Sequence, residues 1–365
     1  MGQHTKELIK NIDYFTLSIA IVLSLIGMAM IYSCTYQTSR IFLIKQMLWF
    51  LGGLVIFLVL IMINYKKIIE WSFPVYVFSI IPLMYLLIKG KKIAGAKSWI
   101  DFGQFQVQPA EFAKIAAVIL LTKYFVDKVG EKIGLKELFY AGIIIGVPVS
   151  FVVLQPDFGT ALTFFPGFIS LFFLKGIKAK LVFLLIIIIL LSGVFMWEFV
   201  LKDYQKARIK TFIYPQSNPK AEGYHLLQSK IAIGSSGFFG KGYLKGTQTQ
   251  SKFLPAQHTD FILSVLAEEF GFFGILIIFS LYLWFILRFL KISLEPKAKA
   301  GILLSFSLSS IIIFQFFINC SMLIGLFPIV GIPLPLLSYG GSSLLSTFII
   351  IALIINIRMR KYQIF

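Results

Sequence analysis

Charged residues are scarce in this sequence. Only 14% of its 365 residues are Asp, Glu, Lys or Arg, whereas 58% are hydrophobic, and an ordinary soluble domain has about 25% charged residues. This deficit excludes a soluble globular protein, because most of the chain must be solvated by lipid. No long soluble stretch separates the apolar runs, so we predict a single polytopic membrane domain over residues 1–365.

Cysteine and histidine are also rare, which excludes further classes of protein. Cys34 and Cys320 are the only cysteines, so neither a disulfide framework nor a thiolate metal cluster can form. The three histidines include no pair at the helical spacing of metal ligands and no H-E-x-x-H motif. The sequence therefore does not indicate a histidine-based zinc enzyme.

Ten apolar runs are long enough to cross a hydrocarbon core of about 30 Å. We expect an all-α fold of about ten transmembrane helices with a large extracytoplasmic loop, residues 201–260, between the seventh and the eighth. The predicted spans are Tyr14–Thr35, Gln46–Asn64, Trp71–Ile88, Pro109–Val126, Leu138–Leu154, Thr160–Leu174, Leu181–Val200, Phe261–Leu287, Gly301–Leu323 and Leu337–Ile357. The sixth span is short, which predicts a tilt or a locally thin bilayer.

Basic residues set the orientation of these spans. With the N-terminus inside, the cytoplasmic segments carry 18 Lys and Arg residues and the short outer loops carry six, as the positive-inside rule requires. Both termini are then cytoplasmic, and topology explains the net charge of +18 better than nucleic-acid binding does. One outer loop breaks the rule with Lys89, Lys91, Lys92 and Lys97. This excess is either a tolerated exception or a site for an anionic headgroup.

Ionisable residues at membrane depth are costly, so each predicts a partner or a function. Glu111 and Lys114 share a helical face of the fourth span and can neutralise each other. They form either a plain ion pair or the wall of a polar cavity. Asp157, in the QPDFGT segment at residues 155–160, is either the N-cap of the next helix or a catalytic acid. We expect it to reach the Glu111 and Lys114 pair.

Asp260 is the most pointed candidate for chemistry. It lies at the junction of the long outer loop and the eighth span, in the segment His258-Thr259-Asp260-Phe261. The alternative interpretation is structural, because Thr259 or Asp260 can cap the helix that follows. Asn caps as well as Asp but cannot accept a proton as a carboxylate does, so Asp260→Asn separates the two.

Two other groups of polar residues lie near this segment. Glu268 and Glu269 lie about two turns into the eighth span, where at least one carboxylate must face protein or a cavity rather than lipid. A membrane hydrolase that combines His258, Asp260 and Ser338 is disfavoured, since no nucleophile-elbow spacing is present.

The outer loops contain three unusual stretches. Tyr224–Ile233 is amphipathic and can lie on the membrane surface over a site. The glycine-rich run that follows, residues 234–246, lacks the Walker Ser or Thr, so a flexible loop is favoured over a phosphate-binding loop. The final outer loop, residues 328–343, is apolar but broken by prolines and glycines. Its free backbone groups must be buried in protein or face water, which predicts a re-entrant cavity lining.

Together these segments resemble the SEDS family (shape, elongation, division and sporulation), and within it the elongation members. The matching motifs run in the family's order through nearly the whole chain. They are Gly95-Ala96-Lys97-Ser98-Trp99-Ile100, Gln108-Pro109-Ala110-Glu111-Phe112-Ala113-Lys114, the QPDFGT segment, Gly223-Tyr224-His225, residues 228–234, His258-Thr259-Asp260-Phe261 with Glu268-Glu269, and Leu334-Pro335 through Ser338-Tyr339-Gly340-Gly341-Ser342.

The resemblance implies a peptidoglycan glycosyltransferase that polymerises lipid II at the outer face of the bacterial cytoplasmic membrane. It also implies a class B penicillin-binding protein as the transpeptidase partner and a place in the elongation machinery. The family's essential carboxylate maps onto Asp260. The residues that we expect to bind substrate or line the cavity are Glu111, Lys114, Asp157, Lys97, Trp99, Arg208, His258, Thr259 and Ser338.

The sequence departs from the family's pattern at three positions. Ser98 stands where the family often has Arg, with Lys97 as a neighbouring cation. Ala256 stands where many members carry Glu, so a second carboxylate at that place cannot take part in the reaction. Val330 stands where division members commonly have Lys. Together with the segment around Arg208, this last difference favours the elongation branch.

The implied reaction assigns roles to these residues. We expect Asp260 to take the proton from the acceptor 4-hydroxyl, a contribution of about 10²- to 10⁴-fold. Lys114, Lys97 or Arg208, or a bound divalent cation (Mg or Mn), would stabilise the departing pyrophosphate. Direct displacement would convert the α-linked donor into a β-1,4 linkage, with the lipid tail in a groove between helices. A lipid II flippase gated by Glu111 and Lys114 and a non-catalytic scaffold for cell-wall synthases stay open as alternatives.

Overall fold

The computed structural model describes residues 11–90, 96–127, 133–214, 222–254 and 256–361. Lys91, Lys92 and Gly95 of the second outer loop lie outside these ranges. The same holds for the first ten residues, which include two of the basic residues used to predict the orientation.

Helices dominate the described chain, as predicted. In order they are α1 Tyr14–Thr35, α2 Ile41–Met62, α3 Tyr65–Glu70, α4 Ser72–Lys89, α5 Pro109–Asp127, α6 Leu135–Leu154, α7 Phe158–Leu162, α8 Phe165–Lys175, α9 Ala179–Phe195, α10 Asp203–Ile213, α11 Glu222–Gly234, α12 Thr247–Gln250, α13 Ile262–Leu294, α14 Lys299–Ile324 and α15 Gly341–Met359. A π-helical turn, Met196–Val200, extends α9. One feature that the sequence did not indicate is an antiparallel hairpin of two short strands, β1 Ile100–Asp101 and β2 Gln106–Val107.

Nine helical segments of the described chain are long and apolar enough to cross a membrane. The tenth predicted span is α5, which has 19 residues and carries Glu111, Lys114 and Lys123. Its charge, rather than its length, therefore separates it from the others. The protein is an all-helical, polytopic membrane protein, and the predicted fold class is confirmed.

The short sixth span is broken into two helices. α7 and α8 together cover residues 158–175, and Thr163 and Phe164 separate them. The Thr163 hydroxyl donates to Thr160 O at 2.7 Å, which satisfies a carbonyl at the break. The whole segment reaches 18 residues, three more than the sequence prediction, so it spans a bilayer with little thinning.

α2 and α15 lie side by side and run in the same direction. Gly341, the first residue of α15, packs against the Trp49 ring, and a Cβ on Gly53 would lie 2.6 Å from the Phe348 ring. Trp49 is eight residues into α2, so α15 begins about 12 Å below the end of α2 that carries Ile41. The loop before α15, residues 325–340, must dip into the bundle to reach that depth. We call this segment the final loop.

α13 is interrupted at Gly271, whose backbone angles are φ 67° and ψ −161°. The glycine-rich segment of residues 237–242 inserts at this break and replaces the helical hydrogen bonds. Four bonds join the two segments: Lys241 N to Glu268 O (3.0 Å), Gly242 N to Glu269 O (2.9 Å), Phe272 N to Gly237 O (3.1 Å) and Phe273 N to Phe238 O (3.0 Å). The amide groups of this run are thus used to close a helix break, and the run does not form a phosphate-binding loop.

A second set of contacts fixes the long loop below this insertion. The buried Glu268 carboxylate accepts hydrogen bonds from Lys241 Nζ, Gln248 N and Thr249 N at 2.8 to 3.0 Å. The Glu269 side chain is equally buried and accepts from the Ser33 hydroxyl. Both glutamates therefore face protein, which confirms and exceeds the prediction that at least one would.

At the opposite end of the bundle, one carboxylate joins three helices. Asp13, just before α1, accepts from Arg288 of α13 at 2.7 and 3.0 Å and pairs with Arg358 of α15 at 3.0 Å. Burial alone would raise the pKa of Asp13, but the hydrogen bonds from Arg288 and Thr16 outweigh it and the net pKa is lowered. The cluster stays charged at neutral pH and holds the ends of these helices together.

Candidate active site

Asp260 lies immediately before α13, beside the final loop. The helix begins at Ile262 with Phe261 in the N-cap position, so Asp260 is one residue too early to be the cap. A Cβ on Gly331 would lie 3.5 Å from Asp260 Oδ2, which places the carboxylate against the final loop. The residue is partly exposed. The capping interpretation is therefore wrong, and a partly exposed carboxylate remains.

The residues around Asp260 are tied to the final loop through their backbone. The Ser338 hydroxyl donates to Thr259 O at 2.6 Å and accepts from Leu334 N at 2.9 Å. Tyr339 N donates to His258 O at 2.8 Å. Ser338 is thus committed to backbone contacts, which agrees with the sequence argument against a hydrolase.

His258 packs between aromatic rings. Its ring centroid is 4.9 Å from that of Phe42 and 5.5 Å from that of Tyr339. Burial lowers the pKa of His258, because a charged imidazolium is poorly solvated there. The ring is therefore neutral at physiological pH and shapes the site as an aromatic group.

Glu111 and Lys114 form an ion pair deeper in the bundle. Lys114 Nζ lies 2.8 Å from Glu111 Oε2, and both side chains are buried. The Ser346 hydroxyl of α15 also donates to Glu111 Oε2, at 2.6 Å. The predicted pairing is confirmed. Because Ser346 is more than a turn below Gly341, the pair lies at about the middle of the bundle.

Asp157 lies between this pair and the final loop. Its Oδ1 accepts from Thr160 N at 3.1 Å, so it caps α7 as the structural interpretation predicted. Its Oδ2 accepts from Gln108 Nε2 at 2.8 Å. The expected contact with Glu111 and Lys114 is not formed, because Asp157 bonds to Gln108 and Thr160 whereas Glu111 bonds to Lys114 and Ser346.

Gln108 links the side chains of Asp157, Thr160 and Ser342. Its backbone N–H donates to the Ser342 hydroxyl at 2.8 Å, and its side chain reaches both Asp157 and Thr160. In the sequence Gln108 stands out only as part of a motif, and its linking role was not predicted. The available signal was a Gln directly before the Pro that opens a buried helix, where a free helix N-terminus needs polar partners.

Lys97 and Trp99 lie beside the QPDFGT turn. Lys97 N donates to Gln155 O at 3.2 Å, and Trp99 is half-buried two residues later. The Lys97 ammonium forms no hydrogen bond or ion pair with any residue in the described ranges. It is thus a cation beside the Asp157 turn with capacity for an anionic ligand.

Arg208 approaches the final loop from the long loop. It lines a small cleft together with Phe327, Pro328 and Ile329. Gln205, on the same helix α10, donates to Pro156 O at 3.3 Å. α10 therefore bridges the final loop and the QPDFGT turn, and it carries Arg208 to the rim of the site.

The final loop and the start of α15 contact nearly all of the candidate residues. Along the chain, they touch Arg208 at residues 327–329, Gly159 at Val330, Asp260 at Gly331, Thr259 at Ser338, His258 at Tyr339, Gln108 at Ser342 and Glu111 at Ser346. The candidate residues therefore follow the final loop and the start of α15 from Asp260 to the middle of the bundle, and we call this row of residues the polar path. Within the described residues no group of three or more His, Cys, Asp and Glu side chains could hold a metal ion.

An apolar groove of about 580 Å³ lies next to the inner end of this path. It lies between α2, α3, α4, α5 and α15, and its lining includes Ile56, Trp71, Phe112 and Leu353. Phe112 is adjacent in sequence to Glu111. The groove thus begins beside the polar path and continues toward the other end of the bundle.

Comparison with known proteins agrees with this architecture. The peptidoglycan glycosyltransferase RodA of Treponema pallidum (strain Nichols) is 33% identical, with 97% of this chain and 99% of the relative covered. The peptidoglycan glycosyltransferase MrdB of Escherichia coli (strain K12) is 39% identical over 80% of this chain and 79% of its own length. One solved chain, from "Structural coordination of polymerization and crosslinking by a peptidoglycan synthase complex", matches with a TM-score of 0.84 at 26% identity, covering 97% and 99% of the two chains.

A family model described as "Cell cycle protein" and named for FtsW, RodA and SpoVE matches residues 13–363. This match includes every candidate residue described above. The chain therefore belongs to the FtsW/RodA/SpoVE family of cell cycle proteins, which is the SEDS family.

Proposed function

We propose that this peptidoglycan glycosyltransferase polymerises lipid II at the outer face of the cytoplasmic membrane, with Asp260 as the general base. The single observation that supports this most is the position of Asp260 Oδ2 beside the final loop, 3.5 Å from where a Cβ on Gly331 would lie. The carboxylate is partly exposed, lies outside the N-cap position of α13 and is at one end of the polar path.

The proposed chemistry requires one proton transfer and one departure of a leaving group. Asp260 accepts the proton of the acceptor 4-hydroxyl as its oxygen attacks the anomeric carbon of the donor. The bond from that carbon to the undecaprenyl pyrophosphate breaks, and the α-linked donor becomes a β-1,4-linked unit. General-base catalysis of this kind contributes about 10²- to 10⁴-fold.

The cations of the site differ in what they can offer the leaving pyrophosphate. Lys114 is paired with Glu111 and fully enclosed, so binding an anion there would require breaking a buried ion pair. Lys97 has no such partner in the described chain, and Arg208 lies at the rim. We assign the pyrophosphate to Lys97 and Arg208, and we assign to the Glu111 and Lys114 pair the role of a neutral floor of the cavity.

The lipid part of the substrate matches the apolar groove. Its lining is almost entirely apolar, and it starts at Phe112 beside the polar path. A polyprenyl chain whose headgroup lies at the Asp260 mouth can pass into this groove without leaving hydrocarbon surroundings. A divalent cation, Mg or Mn, would coordinate mainly to the phosphate oxygens of the substrate and needs only one or two protein carboxylates.

The cellular setting forms part of the proposal. We infer that residues 1–365 form one domain with both termini in the cytoplasm, since this orientation places the basic loops inside. An elongation role is supported by the T. pallidum RodA relative and by Val330 in the final loop. A class B penicillin-binding protein as partner is supported by the similarity to a chain of a peptidoglycan synthase complex.

The test is polymerisation of labelled lipid II by the purified protein, with the products resolved as glycan ladders on a gel. Wild type is compared with Asp260→Asn and with Asp157→Asn, which keeps the cap acceptor of α7. We expect Asp260→Asn to fold normally, judged by its thermal unfolding, and to lose polymerisation by at least about 10²-fold. We expect Asp157→Asn to keep most activity. Glycan ladders of equal length from Asp260→Asn and wild type would refute the assignment of the base.

The same preparation distinguishes the two alternative functions. Vesicles that contain the protein and lipid II on one leaflet report transport independently of polymer. Transport without polymer would support a flippase. A protein that neither transports nor polymerises lipid II, whether or not the transpeptidase partner is present, would support a scaffold. Polymer formed from lipid II supplied on the Asp260 side alone supports the enzyme.

A further inference from the structure

Asn319 lies in α14 directly beside the Asp260 segment. Its amide nitrogen donates to two backbone carbonyl oxygens, Asp260 O at 3.1 Å and Ile332 O at 2.8 Å. One buried side chain therefore joins the backbone of the proposed base to the final loop.

These two contacts fix the orientation of the Asn319 amide. Carbonyl oxygens only accept hydrogen bonds, so the atom that faces both of them must be the NH₂ group. Both amide protons are then used, and Oδ1 remains as an acceptor. No described residue donates to Oδ1, although Asn319 is completely buried. Such an arrangement is unfavourable unless a donor reaches it.

A second buried asparagine shows the same bridge with a full set of partners. The NH₂ group of Asn356 in α15 donates to Leu60 O and Ile63 O, each at 2.6 Å. Its Oδ1 accepts from Tyr65 N at 3.2 Å and from Arg360 Nη1 at 2.7 Å. This bridge is at the end of the bundle remote from the candidate site. The fold thus satisfies the amide oxygen of Asn356, whereas the bridge at the Asp260 segment is kept although the Asn319 amide oxygen has no donor among the described residues.

We propose that Asn319 is a positioning residue for the glycosyl transfer. Its amide nitrogen holds the Asp260 backbone against the final loop, and the position of the Asp260 carboxylate at the bound acceptor depends on this bridge. The inference rests on the proposed function, because it takes Asp260 as the base.

The physical effect of losing the bridge follows from where it acts. It holds the backbone of Asp260 itself, next to the loop that carries Gly331, so its removal lets the carboxylate move relative to the acceptor. A displacement of about 1 Å can lower the rate of a positioned reaction by about 10²-fold. The effect is therefore expected in kcat, whereas a purely structural role would lower only the amount of folded protein.

The experiment uses full-length protein and lipid II polymerisation, corrected for folded protein by thermal unfolding. Asn319→Leu removes both the donors and the acceptor, and Asn319→Asp keeps the shape and an acceptor but removes both donors. Asn356→Leu is the matched control, since it breaks the same kind of bridge away from the site. We expect Asn356→Leu to lose thermal stability but keep its kcat, and Asn319→Leu to lose kcat by about 10- to 100-fold.

The pH dependence of kcat gives a second, independent readout. A carboxylate at position 319 lies close to Asp260 and disfavours its ionisation, so the acidic limb of the profile of Asn319→Asp should move to higher pH. If Asn319→Leu does not fold, Asn319→Ser and Asn319→Asp are judged by the same two criteria. A fall in kcat with an unchanged KM supports a role of Asn319 in positioning the base, whereas a rise in KM with an unchanged kcat would contradict it.

The outcomes separate this inference from the proposed function. Folded Asn319 variants with the kcat of Asn356→Leu and an unmoved acidic limb would overturn the inference. If Asp260→Asn is inactive in the same assay, the proposed function stands without a positioning role for Asn319. If Asp260→Asn polymerises lipid II normally, the proposed function fails first, whatever the Asn319 variants do.

Discussion

Gly271→Ala should disrupt the insertion that holds the long loop against α13. Gly271 has φ 67° and ψ −161°, a backbone region that is essentially restricted to glycine and costs about 1–3 kcal/mol for other residues. A Cβ there would also lie 2.5 Å from Phe238 O, and closer still to Gly240 N. Both obstacles are backbone atoms, so they cannot move aside as a flexible side chain can.

The expected magnitude combines this strain with lost hydrogen bonds. Four backbone bonds join residues 237–242 to the helix break, and each contributes about 0.5–1.5 kcal/mol. Losing half of them together with the backbone strain gives a destabilisation of about 2–6 kcal/mol. At roughly 2 °C per kcal/mol for a chain of this size, the midpoint of thermal unfolding should fall by roughly 4–12 °C.

Thermal unfolding in detergent, followed by tryptophan fluorescence, measures this effect. Gly146→Ala is the matched control, because Gly146 lies within α6 and a Cβ there would meet no atom within 4 Å. Alanine is favoured over glycine in a helix by up to about 1 kcal/mol, so this variant should be as stable as wild type or slightly more so. Equal unfolding midpoints for the two variants would refute the reasoning about the inserted loop.

Three further perturbations test other parts of the molecule. Lys114→Met leaves the Glu111 carboxylate buried without its counter-ion, which should lower the free energy of unfolding by about 3–5 kcal/mol. Adding Glu111→Gln should restore most of this stability, and a double variant no more stable than Lys114→Met would contradict the pairing. Asp13→Asn removes the charge that joins three helices and should cost about 1–3 kcal/mol, with wild-type stability as the contrary result. Burial lowers the pKa of His258, so the protein should lose stability as the pH falls below the pKa of an unfolded histidine, about 6.5. His258→Phe should flatten this dependence of the unfolding midpoint on pH between pH 7 and 5, and an unchanged slope would contradict the reasoning.

The helical frame could be predicted from the sequence because hydropathy alone determines it. The first span was predicted as Tyr14–Thr35, and α1 has the same bounds. Local spacing also sufficed for Glu111 and Lys114, since residues three apart on a helix must be neighbours. In both cases the interaction lies within one element, so no knowledge of the packing was needed.

The insertion at Gly271 could not be predicted, because it joins segments about 30 residues apart. Gly271 lies within an apolar run that reads as one uninterrupted span, and the glycines of residues 234–246 read as a flexible loop. Only their mutual packing shows that Gly240 lies against the backbone of Glu269. The same limit applies to Asp157, which bonds to Gln108 instead of the predicted Glu111 and Lys114 pair, because Gln108 and Asp157 lie on different elements and meet only through packing.

The depth of the polar path decides which of its charges can take part in the reaction. Glu111 and Lys114 are enclosed, neutralise each other and lie near the middle of the bundle, so a doubly charged pyrophosphate could reach them only by losing its hydration and separating a buried pair. Lys97 and Asp260 lie where the final loop and the QPDFGT turn remain accessible, and each is partly exposed. On the proposed function, the chemistry therefore belongs to the Asp260 end of the path. The buried pair is then a neutral element of the bundle core rather than a binding site for the pyrophosphate.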